Sequence, residues 1–129
     1  MKGILLLIVC LCLLTACRLE TQTLREFYDG NLNEVTEMKI VDGGTGYHVT
    51  STDNNIIKDF TSQLENVKFI PDENQEQRDG FIYSITFFQN GEQTFQFGLS
   101  QINGNYYHTE PDIKPIVDEY FKSMEIEKK

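Results

Sequence analysis

Two Asn-Gly pairs within one aromatic-rich stretch constrain the fold more than any other feature of the sequence. Asn90-Gly91 and Asn103-Gly104 interrupt the segment 81–109, "FIYSITFFQNGEQTFQFGLSQINGNYYHT", which is rich in aromatic and β-branched residues. Asn and Gly adopt the positive φ angles that tight β-turns require, so Asn-Gly between β-forming runs indicates a hairpin. The segment is therefore predicted to form three consecutive antiparallel strands.

The register of the first hairpin depends on the length of its loop. A two-residue turn would pair Thr86 with Phe95, whereas a three-residue loop with Gly91 in a bulge would pair Ile85 with Phe95. The second register gathers six large apolar side chains on one face: Phe81, Tyr83, Ile85, Phe95, Phe97 and Leu99. Because a slip of one residue moves a whole strand to the other face, burial decides the register. We predict the bulged loop, with Gly91 at positive φ.

Two amphipathic helices are predicted outside this stretch. Asp53 is placed to cap a helix over residues 54–66, and its apolar residues recur at helical spacing: Ile56, Ile57, Phe60, Leu64 and Val67. Asp112 is placed to cap the second helix, which carries a similar stripe: Ile113, Ile116, Val117, Tyr120, Phe121 and Met124. Such stripes are buried against another element of the fold.

The remaining segments complete a mixed fold. Residues 35–53 are predicted to form a hairpin, with turn residues at 42–44, and residues 68–80 a short strand followed by a polar loop. Residues 24–32 are ambiguous between a helical turn and a strand. The element order is ββαβ-βββα. The sequence thus predicts an α+β domain, in which an antiparallel sheet of five to six strands carries two helices on one face.

The first residues carry an export signal. Lys2 precedes an apolar run from Gly3 to Leu14, which is shorter than the about 20 residues of a membrane-spanning helix. Its length and charged start are typical of a signal-peptide core. Cys10 and Cys12 lie within this run and would leave with it, and a metal site there would need further converging ligands.

Residues 14–17, Leu-Thr-Ala-Cys, resemble the lipobox of bacterial lipoproteins. The resemblance implies cleavage before Cys17, lipid on its sulfur and a location on the outer, extracytoplasmic face of the cell membrane. Two acyl chains hold a protein stably at a membrane, whereas one does not. We expect a signal peptide at 1–16, the lipidated Cys17 and a short tether at 17–23, and a single domain at 24–129. A plain secretory signal, with Cys17 as a free thiol, is the alternative.

Further stretches extend this resemblance over most of the mature chain: "STDNNIIKDF", "KFIPDENQ", "GFIYSITFF" and "NGNYYHTEPDI". With the lipobox, they resemble the small lipoproteins of unknown function found in Bacillus-type, low-GC Gram-positive bacteria. The resemblance implies a cellular location and a fold. It brings no catalytic residue and no cofactor, and Cys17 is the one site residue that it transfers.

The charge balance excludes some classes of partner. The chain carries 20 acidic and 11 basic side chains, which gives a formal net charge of -9. Nucleic-acid binding requires clustered Lys and Arg, and flat binding to anionic lipid requires basic segments. We therefore expect no nucleic-acid partner, and we expect the acidic surface to keep an exported domain soluble.

Patterns that carry catalysis or metal binding are weak in this sequence. His48 and His108 have no ligand spacing, and no Ser lies in a Gly-x-Ser-x-Gly elbow. The acidic loop 72–79 departs from a calcium loop, because Glu76 is followed by Gln rather than Gly. The glycine cluster at 42–46 lacks the Lys of a phosphate loop and suits a hairpin turn. We expect no cofactor and no catalytic residue, and weak Ca²⁺ binding by the acidic loop stays open.

The sheet face opposite the helices offers a candidate surface. It is predicted to carry aromatic and small hydroxyl side chains: Ile82, Ser84, Thr86, Phe88, Tyr106 and His108. Exposed aromatic residues of this kind bind partners, unless a loop covers them. Phe88, Tyr106 and His108 are therefore the candidate partner-binding residues.

The sequence as a whole favours a non-enzymatic binding domain of the cell envelope. Its expected partner is an envelope protein or a wall polymer, and its contact with the membrane is the lipid on Cys17. Two alternatives remain at this stage. One is a hydrolase that acts on envelope polymers through paired carboxylates, and the other is a weak Ca²⁺ binder.

Overall fold

The computed structural model describes residues 19–128, with side chains up to Met124. The predicted signal peptide, the lipobox and Cys10, Cys12 and Cys17 lie outside these residues. The described part of the chain forms an α+β fold with eight strands, three α-helices and one 3₁₀ turn. Within it, no helix has the length and apolar character that crossing a membrane requires.

The elements follow one another in a mixed order. In chain order they are β1 (Gln22–Thr23), α1 (Leu24–Phe27), a 3₁₀ turn (Leu32–Glu34), β2 (Glu37–Asp42), β3 (His48–Ser51), α2 (Asn54–Leu64), β4 (Lys68–Pro71), β5 (Tyr83–Gln89), β6 (Glu92–Gly98), β7 (Gln101–Ile102), β8 (Asn105–Glu110) and α3 (Lys114–Lys128). The ambiguous segment at 24–32 is thus helical at its start. β1 lies inside the segment 17–23 that is predicted as a tether.

The strands form two antiparallel sheets rather than one. Sheet A has the order β1-β4-β8-β7, and sheet B has the order β3-β2-β5-β6. The prediction of a single sheet of five to six strands is therefore wrong, although the α+β class is confirmed. The predicted three-stranded meander divides after β6, because β8 pairs with β4 and not with β6. This pairing brings Phe69 and Tyr107 into edge-to-face contact, at 6.4 Å between ring centroids.

The first hairpin of the aromatic stretch adopts a register that neither simple loop provides. Asn90 and Gly91 form a two-residue turn at φ angles of 52° and 87°, so the positive φ of Gly91 is confirmed. Thr94 is then left unpaired inside β6, and Ile85 pairs with Phe97. The predicted pairing of Ile85 with Phe95 is wrong. The bulge within the strand nevertheless places four apolar residues of β5 and β6 on one face: Ile85, Phe87, Phe95 and Phe97.

Both predicted helices are present, and both contact the inner face of sheet B. The carboxylate of Asp53 caps α2 by accepting from the backbone N–H of Asn55, at 2.9 Å. Phe60 of α2 packs edge-to-face on Phe87 of β5. Phe121 of α3 packs on Tyr83 at the start of the same strand. The two apolar stripes therefore share one side of the sheet, as the helical spacing predicts.

The two sheets share one hydrophobic core. Phe69 of sheet A meets Phe97 of sheet B edge-to-face, with 6.1 Å between ring centroids. Phe27 of α1 closes this region against Phe69 and Tyr107. The largest fully buried side chains come from both sheets and the helices: Leu24, Met38, Ile40, Ile57, Phe60, Leu64, Phe69, Ile85, Phe87, Ile102 and Ile113. Within residues 19–128, the fold is thus held by apolar packing.

Candidate functional site

A groove of about 740 Å³ lies on the outer face of sheet B, at the end where β5 begins. Its floor is a row across three strands, formed by Val41, Ser84 and Gly98, which stand opposite one another in the register. Their neighbours Tyr83 and Ile85 are buried, and side chains alternate between faces along a strand. The floor therefore belongs to the face that points away from α2 and α3.

The first wall of the groove is the segment 78–82, which leads into β5. Its Phe81 and Ile82 side chains are 50% and 52% exposed, although they are large and apolar. The β2–β3 turn holds this segment, because the N–H of Gly43 donates to the carbonyl of Ile82 at 2.8 Å. A β-carbon on Gly43 would stand 1.8 Å from the carbonyl oxygen of Phe81. Only glycine allows so close an approach of the two backbones.

The second wall is formed by β7, β8 and the bend before them. Here Tyr106 is buried, and the guanidinium carbon of Arg78 lies 4.4 Å from the centre of its ring. The backbone N–H of Arg78 also donates to the Tyr106 hydroxyl, at 2.8 Å. This cation–π contact and hydrogen bond join the two walls at one end of the groove.

The polar loop 72–80 is fastened to sheet A through a side-chain amide. Gln75 accepts from the N–H of Tyr106 and donates to its carbonyl, both at 2.9 Å. The side-chain amide of Gln75 thereby makes the two hydrogen bonds that the backbone of a paired strand residue would make with β8. Gln75 also donates to the carbonyl of Asp72, at 2.7 Å. A loop that seems only polar in sequence is therefore a structured part of the groove wall.

Asp72 uses both of its carboxylate oxygens within the fold. One accepts from Arg78 at 3.0 Å, and the other lies 2.8 Å from Nδ1 of His108. The hydrogen bond with His108, and then those with Arg78, hold the pKa of Asp72 below its ordinary value, against the effect of burial. The first candidate ligand of the acidic loop is thus engaged in an ion pair with Arg78 and a hydrogen bond with His108. Residues 19–128 contain no group of three His, Cys, Asp or Glu side chains arranged to hold a metal ion.

The groove offers hydrogen bonds and apolar contact with little net charge. Arg78 and Asp79 are its charged lining residues, and its uncharged polar side chains are Ser84, Gln96, Ser100, Gln101, Asn103 and Tyr106. Gln96 donates to the hydroxyl of Ser84 at 3.1 Å, which leaves its amide oxygen facing away from that bond. Hydrolysis by paired carboxylates needs two such groups about 5–10 Å apart. The lining described here supplies one, on Asp79.

The structure separates Phe88 from the other two candidate partner-binding residues, whereas Tyr106 and His108 lie two residues apart on β8. Tyr106 lines the groove. His108 lies on the outer side of sheet A, bonded to Asp72, and Phe88 lies in sheet B, half-buried and paired with Glu37 and Gln93. The single face predicted to carry all three is therefore not formed, because β5 and β8 belong to different sheets. Ile82 and Ser84, from the same predicted face, do line the groove, whereas Thr86 is buried.

Sequence reasoning missed several lining residues for identifiable reasons. Phe81 was expected to point into the core, yet it stands before β5 begins and so escapes the alternation of that strand. No sequence motif marks Gln96 or Gly98 as a site residue. They become neighbours of Ser84 only through the register between β5 and β6. At the second wall, the sequence marks only the turn at Asn103-Gly104, between β7 and β8.

A smaller pocket of about 250 Å³ lies between α2 and α3. There the Tyr120 hydroxyl donates to the carboxylate of Asp59, and Gln63 donates to the same hydroxyl at 2.8 Å. Burial, and then the carboxylate of Asp59, raise the pKa of the Tyr120 phenol. The phenol joins the two helices as a hydrogen-bond donor, and Asp59 serves as its acceptor.

Comparison of the chain with protein-family models, with curated proteins and with solved structures gave no match.

Proposed function

We propose that this protein is a lipid-anchored binding domain on the outer face of the cell membrane, which holds a segment of an envelope partner in the groove on sheet B. The observation that carries the proposal is the groove itself. It combines half-exposed Phe81 and Ile82 with amide and hydroxyl side chains on a rigid sheet floor. Binding sites typically combine apolar walls with a few placed polar groups.

The chemistry of the groove favours binding over hydrolysis. Among the described residues, Asp79 supplies the single carboxylate of the lining, which gives no pair for general acid and base catalysis of glycan cleavage. Arg78, a cation of the lining, is held against Tyr106 and Asp72. These groups support recognition by fixed contacts, and the proposal therefore names no catalytic residue.

The partner segment should be uncharged and extended. Arg78 and Asp79 balance each other within the lining, while the net charge of -9 repels polyanions. Within the floor, β5 pairs on both sides, with β2 and with β6. A ligand that lies on this face therefore contacts side chains. An uncharged loop or tail of an envelope protein meets these demands, and a neutral wall polymer is the competing outcome of the test.

The proposed location at the membrane depends on lipid attached to Cys17, and this attachment can be measured. Cells that express the full chain would be fed labelled palmitate, and label would be measured on the wild type and on Cys17→Ser. We expect labelling and membrane fractionation of the wild type, and loss of both in Cys17→Ser. Cys12→Ser is the matched control, since that residue leaves with the signal peptide. Equal labelling of the Cys17→Ser variant would contradict the proposed anchor.

Binding in the groove is tested by site-specific photo-crosslinking in intact cells. Gln96 and Thr50 stand at the two ends of one row on the outer face of sheet B. Both are exposed, but only Gln96 lines the groove. A photoreactive residue at Gln96 should therefore give a discrete adduct, and one at Thr50 should not. Equal adducts from both positions, or none from Gln96, would count against the groove as the binding site.

A further inference from the structure

Four large apolar side chains of the described residues are exposed. They are Leu19, Tyr47, Phe81 and Ile82, with exposures of 37%, 67%, 50% and 52%. Tyr47 lies at the β2–β3 turn, where its carbonyl accepts from Asp42. That turn also holds Ile82, through Gly43. The turn thus brings Tyr47 to the same end of sheet B as Phe81 and Ile82. These three residues are called the apolar tip.

The chain enters the fold at this same end. β1 runs antiparallel to β4, so the residues before Gln22, including Leu19, approach from the side on which β4 leaves the sheet. On that side the N–H of Asp72 donates to the carbonyl of Tyr106, and Tyr106 lines the groove. Because the groove is lined from both sheets, the entry of the chain, the groove and the apolar tip occupy one end of the domain.

We propose that the apolar tip docks on the lipid surface of the membrane, so that the groove opens beside the headgroups. The proposal rests on the anchor at Cys17 that is proposed above. Only residues 17–21 would separate the acylated sulfur from β1, and five extended residues span at most about 18 Å. A tether that short, attached at the groove end, keeps the tip within reach of the bilayer.

A weak interaction is sufficient for docking under these conditions. A short linker makes the second contact intramolecular, with an effective concentration on the order of mM. Tyrosine, as at Tyr47, is enriched at the membrane–water interface, and the exposed Phe81 and Ile82 beside it add apolar surface. The tip can therefore dock even if its affinity for lipid is too low to hold an unanchored protein at a membrane.

The charges around the tip define the lipid it prefers. Glu73, Glu76 and Asp79 lie on the adjoining loop and are exposed, and Arg78 is the single cation among them. Carboxylates are repelled by anionic headgroups. We therefore expect docking on zwitterionic lipid and a weaker effect as anionic lipid is added. A partner segment in the groove would then be one that emerges from the membrane itself.

The chain has no tryptophan, which allows a direct test with single-tryptophan variants. Phe81→Trp reports on the tip. Glu92→Trp, in the turn at the opposite end of sheet B, is the matched control. The full acylated protein would be placed in phosphatidylcholine vesicles with and without brominated acyl chains. We expect blue-shifted emission and bromine quenching for Phe81→Trp, and neither for Glu92→Trp.

The failures of anchor and docking are distinguishable in this experiment. Protein that does not float with the vesicles would overturn the anchor, and docking with it. Protein that floats, with Phe81→Trp unquenched or with Glu92→Trp quenched instead, would overturn docking while the anchor stands. Tyr47→Trp is the second reporter of the tip, because its side chain is the most exposed of the three and is least constrained by the fold.

Discussion

Gly43 and Phe81 are in direct backbone contact, so that a β-carbon on Gly43 would overlap the carbonyl group of Phe81. The N–H of Gly43 also donates to the carbonyl of the next residue, Ile82. The glycine is needed at this position for close approach rather than for a positive φ angle. It makes the β2–β3 turn the support on which the first wall of the groove rests.

Substitution of Gly43 should therefore disturb the groove wall. Gly43→Ala forces backbone atoms apart, and overpacking of this kind costs about 1–3 kcal/mol of unfolding free energy. Gly44→Ala is the control, because its β-carbon would meet only the flexible side chain of Asp42, at 3.4 Å. Denaturant unfolding of both variants checks the prediction. Equal midpoints for the two would show that the close contact is not structurally important.

The Tyr83 hydroxyl should contribute measurably to stability. It donates to the carboxylate of Asp118 at 2.6 Å and joins α3 to sheet B. Hydrogen bonds to charged groups contribute about 1.5–3 kcal/mol, and part-exposure of Asp118 places this one at the lower end. Tyr83→Phe should lower the denaturation midpoint, whereas Tyr47→Phe, at an exposed site, should leave it unchanged. A stable Tyr83→Phe protein would refute the assignment.

Stability should fall at both extremes of pH. The hydrogen bond from Tyr83, and then that from Lys114, lower the pKa of Asp118, and His108 and then Arg78 lower that of Asp72. Their contribution is present above the ordinary carboxyl pKa of 3.8 and is lost as the pH falls through the lower folded values.

At alkaline pH the loss of stability comes from a group whose pKa is raised rather than lowered in the folded protein. Burial, and then Asp118, raise the pKa of Tyr83. A raised pKa stabilises the fold below the ordinary phenol value of 10.0, and this stability is lost as the pH rises above it. Unfolding midpoints measured from pH 2 to 11 should show both limits. Tyr83→Phe should flatten the alkaline decline, and an unaltered decline would implicate another group.

The contacts of Asp72 with Arg78 and His108 should determine the order of the loop 72–80. Asp72→Asn weakens the bonds with Arg78 and His108 and should raise the rate of proteolysis within the loop several-fold, with little change in global stability. Glu73→Gln removes one negative charge from an exposed neighbour and is the control. Limited proteolysis followed by mass spectrometry locates the cleavage sites. Identical rates for the two variants would mean that Gln75 and the contacts of Arg78 with Tyr106 fasten the loop without Asp72.

The features that were predictable from the sequence are those encoded within a few residues. The cap at Asp53, the apolar stripes of α2 and α3, and the positive φ of Gly91 follow from local chemistry. The α+β class follows from the order of such elements. None of these depends on which distant segments meet.

The errors arose where distant segments decide the outcome. The bulge at Thr94 is held by the Tyr28 hydroxyl, 2.8 Å from the Thr94 hydroxyl, although 66 residues separate the two. The separation of β8 from β6 depends on its pairing with β4, about 40 residues upstream. No local pattern contains these contacts. The division of Phe88 and Tyr106 between two sheets, and the groove that this division creates, could not be predicted without them.

The most direct test of the binding role uses Gly98 on the floor of the groove. A β-carbon there would lie 3.4 Å from the nearest atom, the carbonyl oxygen of Tyr83, so the backbone accepts a side chain. Gly98→Ala, Gly98→Val and Gly98→Leu would fill the floor in steps. The measurement is the yield of the adduct formed by a photoreactive residue at Gln96 in each background, with folding verified by denaturation. We predict that the yield falls stepwise with side-chain size, to near zero for Gly98→Leu. An unchanged yield in a folded Gly98→Leu protein would contradict the claim that a partner lies in the groove.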